Sequence, residues 1–176
     1  MPNGYPSILI LDDDPVLLKL LETRIQSRFP DATVETRSKP IAVGVYDVYI
    51  LDNDFQGRPL AADLAEEIKK NQPGSMVAAL SGTLCTTTLK RLVNCGCDGA
   101  FDKSDPTEID ALIRALEQYL NKQQQSRSKS GLSGPGLLET TRAISNLIRD
   151  WNHRLEIEER RDESQMRSAT QRVEAS

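Results

Sequence analysis

The chain reads as an α/β protein: a doubly wound, five-stranded parallel sheet, then a linker and an amphipathic helix. Three observations predict this. Short apolar runs of strand length alternate with helical patterns through the first 122 residues. Two of those runs are almost wholly apolar, as strands covered on both faces are. Beyond residue 122 the composition turns to Gln, Ser and Gly, and one long amphipathic pattern follows.

Taken in order, SILIL (7–11), TVET (33–36), VYIL (48–51), MVAAL (76–80) and GAFD (99–102) are the predicted strands. Pro15 opens the first helix at a favoured early position, and Leu17, Leu18, Leu21, Ile25 and Phe29 recur at helical spacing. Residues 59–74 place Ala, Leu and Ile on one face, lysines in the last turn and Pro-Gly as a stop. Residues 86–96 form a third helix, and 105–122 a fourth with a good capping start. Between the second and third strands, SKPIAVGVY (38–46) leaves room for barely two helical turns.

A domain over 5–122 accounts for these elements. QQQSRSKSGLSGPG (123–136) reads as a flexible linker. In 137–160, Leu137, Thr141, Ile144, Leu147, Ile148, Trp151 and Leu155 lie on one helical stripe, an output or association helix. A single stripe cannot bury itself, so residues 137–157 are expected to self-associate or to dock on a partner or the domain. Residues 161–176 are nearly all polar and expected to be disordered. His153 falls off the stripe and reads as an exposed surface residue.

Composition excludes several classes. At 176 residues, 38% hydrophobic and 27% charged, the chain is that of a soluble globular protein with one ordinary domain and an appendage. No apolar run approaches the ~18 residues that span a bilayer, and the N-terminus lacks a basic start and cleavage site. Residues 1–122 carry 13 Lys/Arg against 18 Asp/Glu, and residues 123–176 carry 9 against 8. Neither half is a basic patch, so neither nucleic acid nor membrane is an expected partner. Cys85, Cys95 and Cys97 are odd in number and have no His or second pair to complete a zinc site. CGC then reads as a helix C-terminus with buried thiols, and the chain as reduced and cytoplasmic.

In parallel sheets, chemistry sits at the carboxyl ends of the strands. That rule selects Asp12, Asp13 and Asp14 after the first strand, Asp52 and Asp54 after the third, Ser81-Gly82 after the fourth and Lys103 after the fifth. Asp14 is placed to cap the helix that Pro15 opens. Carboxylates converging with a backbone carbonyl make an all-oxygen site suited to Mg²⁺. Lys103 adds a point charge fitted to a phosphoryl oxygen, and Ser81 a hydroxyl donor. This set suits phosphoryl transfer to a carboxylate.

These pieces, LDDDP, YILDND, ALSG and FDKSD in order at successive strand ends, resemble the receiver domain of two-component response regulators across residues 7–122. The resemblance implies a flavodoxin-like receiver fold with Asp52 as phosphoacceptor. It implies Mg²⁺ held by Asp12, Asp13, Asp52 and the main-chain carbonyl of Asp54, and phosphoryl oxygens met by Ser81 and Lys103. Asp54, two past the acceptor, would tune how long the phosphate survives. The partner would be a histidine kinase or phosphotransfer protein. The chain would be no enzyme toward other molecules, catalysing only its own aspartyl phosphorylation and dephosphorylation.

Three departures stand out. The second helix region is short, Ser104 follows the Lys where receivers commonly have Pro, and Ala100 stands where receivers have a switch aromatic. Phe101 should point to the opposite face of its strand. Ala100 and Ser104 favour the alternative of a non-phosphorylated pseudo-receiver, while the retained acids and Lys103 point the other way. DND also resembles the first motif of haloacid-dehalogenase-type phosphatases. In those enzymes, however, the paired metal-binding acids follow the catalytic Lys in chain order.

Overall fold

The structure, a computed structural model, describes residues 5–129. Strand β1 (Ser7–Leu11) leads into helix α1 (Pro15–Arg28), β2 (Thr33–Arg37) and β3 (Val48–Asp52). A small hairpin, β4 (Asp54–Phe55) with β5 (Arg58–Pro59), precedes α2 (Ala61–Asn71). Strand β6 (Met76–Ser81), α3 (Thr86–Asn94), β7 (Gly99–Asp102) and α4 (Pro106–Lys129) complete the order. The five-stranded sheet runs β2-β1-β3-β6-β7 with every pairing parallel, the expected doubly wound arrangement. Its strand order reverses between β1 and β3, the point at whose carboxyl ends such sheets generally place their ligand sites.

Strand alternation divides the core. Ile8, Ile10, Val48, Ile50, Met76, Ala78, Leu80 and Phe101 pack with Leu17, Leu18, Leu21 and Ile25 of α1 and with Ile109, Leu112, Leu116 and Leu120 of α4. The alternate residues Leu9, Leu11, Tyr49, Leu51, Val77 and Ala79 are equally buried on the other face. There α2 packs on β3 and β6, and α3 on β7. Burial on both faces explains why the central strands read as unbroken apolar runs. Asp14 caps α1, its Oδ1 accepting from the N–H groups of Val16 (2.8 Å) and Leu17 (3.4 Å).

Residues 38–47 form neither helix nor strand. Pro40, the β-branched Ile41, Val43 and Val45, and Gly44 at φ +124° disfavour even a short helix. Arg37 organises the segment instead. Its Nη1 donates to the carbonyls of Ile41 (2.9 Å) and Val43 (2.8 Å), and its Nη2 to the Tyr46 hydroxyl (2.9 Å). Beneath it, the buried Tyr49 hydroxyl lies within hydrogen-bond reach of the Gly44 carbonyl (3.1 Å) and Gln72 Oε1 (2.9 Å).

Two boundaries differ from the sequence expectation. The helix expected from 59 begins at Ala61, because Arg58 and Pro59 pair with Phe55 and Asp54. Helix α4 runs to Lys129, so the linker expected from 123 is helical over its first seven residues. Gln, Arg and Lys are good helix formers, and no Gly or Pro intervenes before Gly131. Gln123 Nε2 also donates to the Tyr119 hydroxyl one turn back (2.9 Å). The remaining linker, the helix expected over 137–160 with His153, and the tail over 161–176 lie outside the described residues. Among the described residues no helix is long and apolar enough to cross a membrane.

Of the cysteines, Cys95 caps α3 and is half-buried, Cys97 is buried, and Cys85 is exposed just before α3. Burial, with the charge of Asp98 adding, pushes the Cys97 thiol up to about 12, so it stays protonated.

Candidate functional site

The expected acids converge where β1 and β3 end. Asp12 and Asp52 are each 0% exposed, while Asp13 is half-buried. One carboxylate oxygen from each of the three lies within 4.8 Å of the others. Backbone amides satisfy part of this charge: Asp14 N–H donates to Asp12 Oδ1 (2.8 Å), Asp54 N–H to Asp52 Oδ1 (3.1 Å) and Gln56 N–H to Asp13 Oδ2 (3.1 Å).

Lys103 meets the acids from the end of β7. Its main-chain N–H donates to the Ser81 carbonyl (3.0 Å), which extends the β6–β7 pairing by one step and sets where the side chain starts. Its Nζ donates to Asp52 Oδ1 at 3.0 Å and lies 3.6 Å from Asp12 Oδ2, too far for a hydrogen bond. Burial works against the ammonium, but the bond to Asp52 and the charges of Asp12 and Asp52 outweigh it and hold the pKa above the ordinary lysine value.

One lysine does not balance three acids. Asp12 Oδ2 and Asp52 Oδ2 are buried without a hydrogen-bond partner. Burial, with the charges of Asp52 and Asp13 adding, pushes the Asp12 carboxyl up to about 6 against the Asp14 amide and Lys103, which oppose it. The unpartnered Asp12 oxygen, with the Asp13 and Asp52 carboxylates beside it, forms a donor set suited to a small hard cation of the Mg²⁺ kind. The residues present fit such an ion.

The other expected residues are near but differently engaged. Ser81 is 3% exposed at the end of β6, and its hydroxyl donates to the Thr83 carbonyl (2.9 Å), within its own turn. The Asp54 side chain is exposed in β4, directly after the cluster. Ala100 is buried in β7, opposite Ala79. Phe101 packs on the α1/α4 face, as alternation predicts. Ser104 donates its N–H to Asp102 Oδ1 (2.7 Å), and every described peptide bond is trans. Sequence reasoning missed Gln56, whose only signal was the Gly that follows it.

The comparisons with known proteins bear on the fold. A signal receiver domain of a DNA-binding response regulator from Colwellia psychrerythraea superposes with a TM-score of 0.57 at 25% identity, over 65% of this chain and 98% of that one. A CheY-like response regulator receiver domain protein from Methanospirillum hungatei gives 0.58 at 21% identity, over 69% and 98%. This chain has the receiver fold. The BeF3-activated receiver domain of the Thermotoga maritima response regulator DrrB matches at 0.57 and 18% identity, over 66% and 98%. No family model matches the sequence, and no curated protein does. Within the receiver fold, the acids of β1 and β3 and the lysine of β7 lie at the carboxyl ends of the strands, where such α/β sheets bind ligands.

Proposed function

We propose that the chain is a response-regulator receiver that takes a phosphoryl group onto Asp52 in a Mg²⁺-dependent reaction, donated by a histidine kinase or phosphotransfer protein. The observation that carries this reading is the pair of buried, unpartnered oxygens on Asp12 and Asp52 beside Lys103. Two acids sharing one ammonium leave two buried oxygens without a hydrogen bond, a cost to stability that a bound cation or phosphoryl group would relieve.

Asp52 Oδ2 is the nucleophile, because Oδ1 is already bonded to the Lys103 ammonium and the Asp54 amide. It forms a bond to phosphorus as the phosphorus–nitrogen bond of a phosphohistidine breaks. The imidazole leaves with the electron pair and takes a proton, and an aspartyl acyl phosphate remains. Lys103 offers its Nζ to a phosphoryl oxygen as negative charge moves from the carboxylate onto the phosphoryl group. Asp12, Asp13, Asp52 and the Asp54 carbonyl would hold a cation that would supply charge neutralisation. Ser81 would serve the same group only after its hydroxyl releases Thr83. The chain acts on itself in this chemistry and is no enzyme toward other substrates. The segment over 137–157 is the candidate output, by self-association or partner docking.

The alternative is a pseudo-receiver that binds without being phosphorylated. Ala100, Ser104 and the Ser81 hydroxyl turned to Thr83 favour it. A phosphatase of the haloacid-dehalogenase kind has no support, since α4 follows Lys103 and no later strand ends in paired acids among the described residues. Incubation with acetyl phosphate separates the two surviving readings. A mass gain of one phosphoryl group with Mg²⁺, lost on chelation, supports the receiver; no gain under any cation condition supports the pseudo-receiver.

A further inference from the structure

The segment after Asp52 folds as the β4–β5 hairpin, and the tip of this hairpin reaches the acidic cluster. Phe55 is 4% exposed and anchors the hairpin in the domain. Gln56 (φ +52°) and Gly57 (φ +79°) turn the chain through two left-handed residues, the signature of a tight two-residue hairpin loop. That turn aims the Gln56 main-chain N–H at Asp13 Oδ2, 3.1 Å away. Asp13 is the least buried of the three clustered acids and has two like charges beside it. Left alone, its carboxylate would be driven outward into water.

We propose that the β4–β5 hairpin is a positioning device for the cation site, with the Gln56 amide holding the Asp13 carboxylate beside Asp12 and Asp52. A ligand held in advance surrenders less freedom when the ion arrives. Hydrogen-bond partners of metal-ligating groups typically contribute ~10–100-fold in affinity. Asp13 is partly exposed, which places this one toward the lower end, about tenfold. The inference rests on reading Asp12, Asp13 and Asp52 as Mg²⁺ ligands and assigns the hairpin its part in that site.

Gly57 makes the idea testable. A Cβ there would meet nothing within 4 Å, so the strain of a substitution comes from the positive φ. Gly57→Val puts a β-branched residue at positive φ and should open the turn. Gln56→Pro deletes the donor and, with φ locked negative, also forbids the turn. Gln56→Gly keeps the N–H and suits positive φ. Metal-free, full-length protein is titrated with MgCl₂ alone, by calorimetry, with no phosphodonor present.

Gly57→Val and Gln56→Pro are expected to bind Mg²⁺ about tenfold more weakly. Gln56→Gly should match wild type, and all three should still melt in one cooperative transition without Mg²⁺. Wild-type affinity in both Gly57→Val and Gln56→Pro would overturn the positioning role and leave the ion site standing. Weakened binding that accompanies a collapsed metal-free melt would also overturn it, since general unfolding would then be the cause. A wild-type chain that binds no Mg²⁺ would overturn the ion site and this inference together.

Discussion

Asp12→Asn should make the metal-free protein more stable at neutral pH while destroying its response to Mg²⁺. Asp12 is fully buried, and burial above all, with the charge of Asp52 adding, pushes its carboxyl up to about 6 against the Asp14 amide and Lys103. In the unfolded chain the group titrates near 3.8. Between those two values the native state keeps a proton that the unfolded state has lost. Stability therefore falls as pH rises through this window, and the loss is complete above about pH 6. At ~1.4 kcal/mol per pH unit the displacement corresponds to ~3 kcal/mol. Asn carries no charge and can still accept from the Asp14 N–H through Oδ1, now 2.8 Å away. Its buried amide and the lost attraction to Lys103 at 3.6 Å return part of the gain, which leaves about 2 kcal/mol. For a domain of this size that is a rise of roughly 5 °C or more in Tm. Thermal unfolding is followed at pH 7.5 and at about pH 4, each with chelator and with excess Mg²⁺. The gain should be present at pH 7.5 with chelator and absent near pH 4. Added Mg²⁺ should stabilise wild type and leave Asp12→Asn unmoved. A metal-free Asp12→Asn that is equally destabilised at both pH values would refute the reasoning, because Asp12 would then be a structural partner.

Three further perturbations follow from other parts of the molecule. Asp54 directly follows the cluster, its N–H on Asp52 Oδ1 (3.1 Å) and its side chain exposed, and we propose that its carboxylate takes a proton from an attacking water. Asp54→Asn should slow loss of phosphate after donor removal by up to ~10²-fold, and unchanged or faster decay would show that it is no base. Truncation after Lys129, where α4 ends, should leave a folded, phosphorylatable domain that has lost a larger oligomer or a partner. The same oligomeric state and the same binding in full-length and truncated chains would remove any role for the stripe over 137–157. Arg37→Ala strips the bonds to the Ile41 and Val43 carbonyls and should cost ~1–3 kcal/mol in urea unfolding while exposing residues 38–47 to proteases. Wild-type stability and cleavage would show that Arg37 does not hold the segment.

What was legible in the sequence was local or strongly periodic. The five strands, the cap at Asp14 and the placing of Phe101 on the α1/α4 face follow from alternation and capping chemistry that need only near neighbours. The acids and Lys103 were legible because a parallel sheet brings its strand ends to one edge. The rest depended on partners far along the chain. Residues 38–47 are shaped by Arg37 from β2 and Tyr49 from β3, which the segment's own pattern does not contain. The β4–β5 hairpin has two-residue strands, too short for any period, and Gln-Gly is a weaker turn signal than Asn-Gly. The extension of α4 was hidden by composition, since Gln and Ser suggested a linker while the Tyr119–Gln123 bond kept the helix going. The Ser81 hydroxyl bonded to Thr83 could not be read from Ser-Gly at a strand end.

The central claim is that the unpartnered oxygen of Asp52 accepts a phosphoryl group with the help of the acids around it. The most direct measurement is intact mass after incubation with acetyl phosphate and Mg²⁺, for wild type, Asp13→Ala and Asp52→Ala under identical conditions. Wild type should gain one phosphoryl group, Asp13→Ala should gain far less at the same Mg²⁺ concentration, and Asp52→Ala should gain none. Undiminished labelling of Asp52→Ala would contradict the claim, because another residue would then be the acceptor.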